Sequence, residues 1–196
     1  MKIIGLTSGI GSGKSTVLNV LESTGGHCYA SAKAAKKIMI NDQDLSNQIK
    51  SIFGSDIYIG NQLDTKKLAN LVFNDRAKLA ILNAIVHPKV TEDFKSFTSK
   101  QQGPYIIKEA AILIESEAYK NCDLIILVTA PKSDRVDRIF RRDGTPYNDI
   151  YKRMSHQWND EKKIPYSDFI IDNKVWEKTT QQIADIHRKL LTQSYK

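Results

Sequence analysis

Lys14 closes a run of alternating glycines in Ser8-Gly9-Ile10-Gly11-Ser12-Gly13-Lys14-Ser15-Thr16. A short apolar run, Lys2–Thr7, leads into it, and apolar residues at helical spacing (Val17, Val20, Leu21) follow. A glycine-rich turn between a strand and a helix points backbone N–H groups inward, and the helix dipole adds positive potential there. The N–H groups of Gly11, Ser12, Gly13, Lys14 and Ser15 are therefore expected to cradle a polyphosphate. Lys14 would bridge the β- and γ-phosphates, Ser15 would lend its hydroxyl to Mg²⁺, and Thr16 would lie near the α-phosphate. Without the flanking strand and helix, the same letters would be a glycine turn with an incidental lysine. One letter departs from the pattern GxxxxGK[ST], because Ser8 stands where its first glycine belongs. If that position needs a left-handed backbone, a side chain there costs about 1–2 kcal/mol.

Arginine is the second concentration of chemistry. Five of the seven arginines fall between positions 135 and 153: Arg135, Arg138, Arg141, Arg142 and Arg153. Guanidinium keeps its charge and grips phosphate through two bonds. Arg138, Arg141 and Arg142 come near the end of a helix, just before Asp143-Gly144-Thr145-Pro146. Such a helix reads as a lid that closes over a bound nucleotide and excludes water. A solvated basic face and a nucleic-acid patch are the alternatives, and Arg135 is the expected bystander. Two carboxylates stand nearby in sequence. Glu109 ends the strand YIIK, where it is either a neighbour of the magnesium or a plain strand-end charge, and Glu115 poses the same choice.

These residues need a scaffold, and the apolar runs supply one. Strands are expected at Lys2–Thr7, His27–Ala30, Tyr105–Lys108, Leu124–Thr129 and Asp168–Ile171. Helical patterns cover Ser15–Leu21, Ala32–Ile40 and most of Asp64–Gln101, the last punctuated by Asn74-Asp75 and by Pro88 after His87. Pro131 and Pro146 open further helices, and a closing helix presents Trp176, Ile183, Ile186 and Leu190 inward. Strands alternating with helices predict a doubly wound α/β domain on a parallel sheet, with a helical insertion. At 196 residues there is room for one such domain, and 41% hydrophobic residues exclude disorder over the whole length. Lys+Arg 29 against Asp+Glu 22 leaves +7, which favours a polyanionic partner. Cys28 and Cys122 form neither a disulfide framework nor a zinc pattern, and no apolar run suits a signal peptide or a membrane span. A cytoplasmic protein with no membrane partner is expected.

Longer segments carry a resemblance. IIGLTSGIGSGKST at 3–16, LNAIVHP at 82–88, EAAILIES at 109–116, KSDRVDRIFRRD at 132–143, KRMSHQWNDEKK at 152–163 and SDFIIDN at 167–173 together resemble the dephospho-coenzyme A kinase family, end to end. The resemblance implies ATP-dependent phosphorylation of the ribose 3′-hydroxyl of dephospho-CoA, the last step of coenzyme A synthesis, with ATP and Mg²⁺. It also implies a P-loop NTPase-type three-layer fold. A nucleotide core would span about 1–60, 104–140 and 166–196, a CoA-binding helical insertion about 61–103, and a lid about 141–165. Gly11, Ser12, Gly13, Lys14, Ser15 and Thr16 match the ATP loop, and Arg142, Arg153 and Gln157 match lid positions. On this basis Lys14, Arg142 and Glu109 are the catalytic candidates. His87 with Pro88 matches a substrate-binding His-Pro, and His87 is either a substrate contact or a helix cap. Gln157 is either a lid contact or a packing amide.

The resemblance breaks after the second strand. The family carries an aspartate there, as general base or magnesium-linked carboxylate, whereas Tyr29-Ala30-Ser31-Ala32-Lys33 places Ala32 at its position. A methyl group cannot take a proton, so weakened catalysis is expected. A non-catalytic nucleotide or CoA-binding protein and another small-molecule P-loop kinase are the competing readings. Nothing resembles a nucleic-acid-binding module.

Overall fold

The computed structural model describes residues 1–73 and 75–192. The chain divides into two compact units, Met1–Tyr29 with Gln101–Lys196, and Ala30–Lys100. In chain order the elements begin with β1 (Lys2–Ser8), α1 (Lys14–Ser23) and β2 (His27–Ala30). Then come α2 (Ser31–Asn41), α3 (Gln43–Phe53), β3 (Tyr58–Ile59), β4 (Gln62–Leu63), α4 (Thr65–Phe73) and α5 (Arg76–Ser99). The chain continues through β5 (Tyr105–Glu109), β6 (Leu124–Thr129), α6 (Lys132–Asp143), α7 (Tyr147–Ser155) and α8 (Asp160–Lys163). It closes with β7 (Phe169–Asp172) and α9 (Trp176–Thr192).

The first unit is built on the five-stranded parallel sheet, in the order β2-β5-β1-β6-β7. All five strands expected from the apolar runs form, His27–Ala30 and Leu124–Thr129 with the expected ends and the others shifted by one residue. Ile4, Leu6, Ile106, Ile107, Ile126, Leu127 and Val128 are buried, as a parallel sheet covered on both faces requires. Leu6 pairs with Glu109 and Ser8 with Val128, which brings the carboxyl ends of β5, β1 and β6 to one edge. From β1 the sheet grows in opposite directions, toward β5 and toward β6. The carboxyl edge at such a switch point is where open α/β sheets bind ligands. Val136 and Ile139 of α6 and Ile150 of α7 form a small separate core, against which Ile10 of the glycine run packs. Trp176 departs from the expected inward face of the last helix: it opens α9 and is exposed, leaving the buried stripe to Thr179, Ile183, Ile186 and Leu190.

The second unit is helical around Leu45, Ile49, Ile57, Leu63, Leu68, Val72, Leu82 and Val86. The stretch 61–103 lies within it as far as Lys100. Asp75 caps α5, its carboxylate accepting the N–H groups of Ala77 (3.0 Å) and Lys78 (3.1 Å); Asn74 lies outside the described residues. The break expected at His87–Pro88 does not occur. Pro88 sits inside the 24-residue α5. A proline removes one helical N–H and crowds the preceding turn, but buried Leu82 and Val86 before it and Phe94 after it hold the helix on course.

Both cysteines are unpaired. Burial pushes the Cys28 thiol up to about 12 and the Cys122 thiol up to about 11. Only the thiolate reacts, and at pH 8 its fraction would be about 10⁻⁴ and about 10⁻³ respectively. Native protein is expected to react slowly with a chromogenic disulfide reagent, and urea-unfolded protein to titrate two thiols quickly. Rapid native labelling would contradict this burial. Among the described residues, no helix is long and apolar enough to cross a membrane.

Candidate active site

The turn after β1 is held open by side chains that reach into it. Ser8 lies at the end of the strand, and Glu117 is the only non-glycine residue with positive φ among the described residues. The strain cost considered for Ser8 therefore does not arise, because the strand keeps that position extended. Its hydroxyl donates to the Gly9 carbonyl (3.0 Å). The left-handed positions fall later, at Gly11 (φ 84°) and at Gly13, with φ 90° at the latter. A Cβ there would also overlap the Asn173 side-chain amide, which donates to the Ser12 carbonyl (2.8 Å). Arg135 Nε donates to the Ile10 carbonyl (2.9 Å), while Gln157 Oε1 accepts the Ile10 N–H (2.8 Å). Gln157 Nε2 donates in turn to the Ala111 carbonyl (3.3 Å). Since α1 starts at Lys14, the N–H groups of Lys14 and Ser15 precede its first hydrogen bonds, which run from Thr16 and Val17 to the Gly13 carbonyl (3.0 and 3.1 Å), and are available to an anion.

The Lys14 ammonium is ion-paired with the Glu109 carboxylate, and their side chains are only 14% and 8% exposed. Burial, with the Lys163 charge second, pushes the Lys14 ammonium down to about 8. The Glu109 carboxylate opposes that and favours the proton. The charged form is the one that attracts phosphate, so its loss weakens binding as pH rises. In the free protein, kcat/KM for ATP is expected to fall as pH rises through about 8. The kcat at saturating ATP should hold to higher pH, because bound phosphate stabilises the ammonium. Initial rates between pH 6.5 and 9.5 check this, and a flat kcat/KM over that range would refute it.

Ser15 and Thr16 are exposed on the first turn of α1. The Ser15 hydroxyl and the Glu109 carboxylate are oxygen donors of the kind Mg²⁺ takes. Among the described residues, no group of three His, Cys, Asp or Glu side chains could hold a metal. A Mg²⁺ ion held by these two oxygens would take its remaining ligands from nucleotide phosphates and water.

The arginines divide differently from expectation. Arg135, the expected bystander, is buried against the turn, pairing with Asp160 (3.5 Å) as well as Ile10. Arg138 donates to the Asn173 carbonyl (2.7 Å), and its Nη1 is buried without a partner. It lines a cavity of about 230 Å³ beside the turn, with Gly13, Thr16, Asn173, Lys174 and Trp176. Arg142 makes two 2.7 Å bonds to Asp143 on the surface, and Arg153 is exposed on α7. Glu115 accepts the Trp158 N–H (3.2 Å) and the Lys163 ammonium (2.9 Å). In the second unit His87 is exposed on α5, and Ala32 is exposed in the first turn of α2. That helix has no side-chain cap at Ala30 and no acidic residue in its first turn. A larger cavity of about 560 Å³ lies in the second unit around Asp42 and Lys89 and contains none of the expected site residues. The structure thus gathers Gly11–Thr16 with Glu109, and adds Arg135, Gln157, Lys163 and Asn173 as residues that shape the turn.

The sequence model of the dephospho-CoA kinase family matches residues 2–178. A dephospho-CoA kinase from Chlorobium luteolum is 35% identical over 191 residues, covering 93% of this chain and 87% of that protein. One from Bacteroides fragilis is 35% identical over 184 residues, covering 93% of this chain and 90% of the relative. A crystal structure of a Thermus thermophilus protein matches with a TM-score of 0.87 at 28% identity, covering 98% of each chain.

Proposed function

This chain belongs to the dephospho-CoA kinase family, a family of ATP-using transferases, and on that premise we propose that it phosphorylates the ribose 3′-hydroxyl of dephospho-CoA. The observation that carries this proposal is the pairing of Lys14 with Glu109 beside an anion-binding turn. The polyphosphate of ATP lies on the N–H groups of the turn between Gly11 and Ser15, where Lys14 leaves Glu109 for the β- and γ-phosphates. That exchange frees the Glu109 carboxylate. It then faces the transfer either as a ligand shared with Mg²⁺ or as the group that takes the hydroxyl proton. The 3′-oxygen bonds to the γ-phosphorus as the bond from that phosphorus to the β–γ bridging oxygen breaks, and ADP leaves. The Ser15 hydroxyl would help hold Mg²⁺, which would supply charge neutralisation at the phosphates. The adenine base is assigned to the cavity between Arg138 and Trp176.

Arg142 and Arg153 are assigned to a lid of about residues 141–165 that closes on the phosphates, with Arg142 exchanging Asp143 for nucleotide. His87 and the helical insertion of about 61–103 are assigned to dephospho-CoA, and the nucleotide core to the first unit, since residues 30–60, expected in that core, pack within the helical unit. The working compartment is the cytoplasm, in keeping with the two unpaired thiols. A second reading has one observation in its favour: Ala32 removes a carboxylate from the family pattern, as in a protein that binds both ligands and transfers nothing. An assay of ADP release with dephospho-CoA, with mass analysis of the product, decides between them. Product 80 Da heavier (the mass of one phosphoryl group) is expected. Tight binding of both ligands without product would establish the second reading.

A further inference from the structure

Lys163 ends α8 with a side chain that is 0% exposed. Its ammonium donates to Glu115 Oε1 (2.9 Å) and to the carbonyl of Ser8 (3.4 Å), the residue at which β1 gives way to the phosphate turn. Glu115 is fixed in turn by the Trp158 N–H, and its second oxygen is buried without a partner. Fully buried lysines are rare, because removing an ammonium from water is costly, and a well-packed apolar side chain often serves stability as well or better. A leucine here could pack but could not donate to the Ser8 carbonyl. Nor could it add positive potential beneath a turn that must hold several negative charges. Lys163 is close enough for its charge to act on Lys14.

The same segment grips the turn twice. Gln157 takes the Ile10 N–H, and Asp160 steadies the Arg135 that takes the Ile10 carbonyl. Residues 157–163 follow directly on α6 and α7, so this strap connects the arginine-bearing helices to the turn.

Resting on the kinase reading above, we propose that Lys163 is a positioning residue for phosphoryl transfer. Its ammonium, anchored on Glu115, fixes the Ser8 carbonyl and supplies a second positive charge beneath the bound polyphosphate.

The test uses full-length Lys163→Met/Glu115→Gln, which removes the charge without leaving a buried carboxylate, together with Lys163→Arg, which keeps the charge. ATP and dephospho-CoA are varied separately, and ATP binding is also measured by calorimetry. The matched double variant is expected to lose on the order of 10–100-fold in kcat/KM for ATP, the size typical of removing the support behind a binding group. KM for dephospho-CoA should stay within about twofold of wild type, since uniform damage is what a purely structural change would cause. Lys163→Arg should regain most of the loss. Unchanged ATP parameters in the double variant, or equal losses toward both substrates, would overturn the proposal, as would failure of Lys163→Arg to recover. If the double variant does not fold, the same comparison is made on Lys163→Gln/Glu115→Gln, which removes both charges while keeping polar groups at both positions. Failure of the kinase reading itself would show separately, as wild-type protein that makes no product. In that case the calorimetric ATP affinities still decide the role of Lys163.

Discussion

Lys14→Met is expected to lower kcat/KM for ATP on the order of 10³-fold, comparable to deleting a principal donor or cation from a transition-state charge site. The lysine is the one cationic side chain found on the first turn of α1, and its position on Glu109 leaves it a short movement from the N–H groups that receive the phosphates. Methionine has similar length and no charge, so the change tests electrostatics more than packing. It also strands Glu109. Breaking a buried pair from one side costs about 3–5 kcal/mol of stability, unless the carboxyl takes up a proton. Loss of activity could then be mistaken for loss of fold. Lys14→Met/Glu109→Gln separates the two: its urea midpoint should return toward wild type while its calorimetric affinity for ATP stays well below that of Glu109→Gln alone. If that affinity matched Glu109→Gln, Lys14 would be a structural partner of Glu109 and not a phosphate ligand.

The sheet was legible in the sequence because parallel strands buried on both faces must be written as unbroken apolar runs. Ile3 to Leu6 and Leu124 to Val128 could hardly be anything else. The turn was legible because its glycines and Lys14 sit between such a strand and a helix. The second unit was harder. The helix α3 is half polar, and its boundaries rest on the Asp42 side chain accepting the Leu45 N–H (2.9 Å) and on Gly54. The hairpin β3–β4 pairs only two residues per strand across Gly60-Asn61, too short for alternation to register. Pro88 misled for the opposite reason, since local chemistry predicts a break and tertiary packing overrides it.

The shaping residues of the site were only partly legible. Gln157 reads in the sequence as a lid contact or a packing amide, but Arg135 reads as a bystander and Lys163 not at all, because a charged stretch ordinarily faces solvent. What makes them structural is their distant partners: Ile10 for the first two, and Ser8 with Glu115 for the third. Ser8 taught the converse. The motif pattern suggested strain at that letter, but the backbone there is still strand, and the residue after it begins the turn.

Ala32→Asp is expected to raise turnover with dephospho-CoA by about 10²–10⁴-fold, the range that a positioned general base contributes. The site should accept the change. Ala32 is exposed in the first turn of α2, which has no acidic residue there and no side-chain cap. A carboxylate near a helix N-terminus is favoured by about 0.3–1 kcal/mol, so the variant should be no less stable than wild type. The same dipole keeps that carboxylate ionised near neutral pH, the form a base requires. Ala32→Asn is the matching control, with nearly the same shape and polarity but no ability to take a proton. A gain in Ala32→Asp that Ala32→Asn does not share would assign the missing chemistry to proton transfer at position 32. Equal rates in wild type and both variants would show that another group already does this work. Glu109, once Lys14 has left it for the phosphates, would be the carboxylate to do so, and Glu109→Gln in the Ala32→Asp background would then lose its turnover. If the carboxylate introduced at position 32 were the base, that double variant would keep part of the gain.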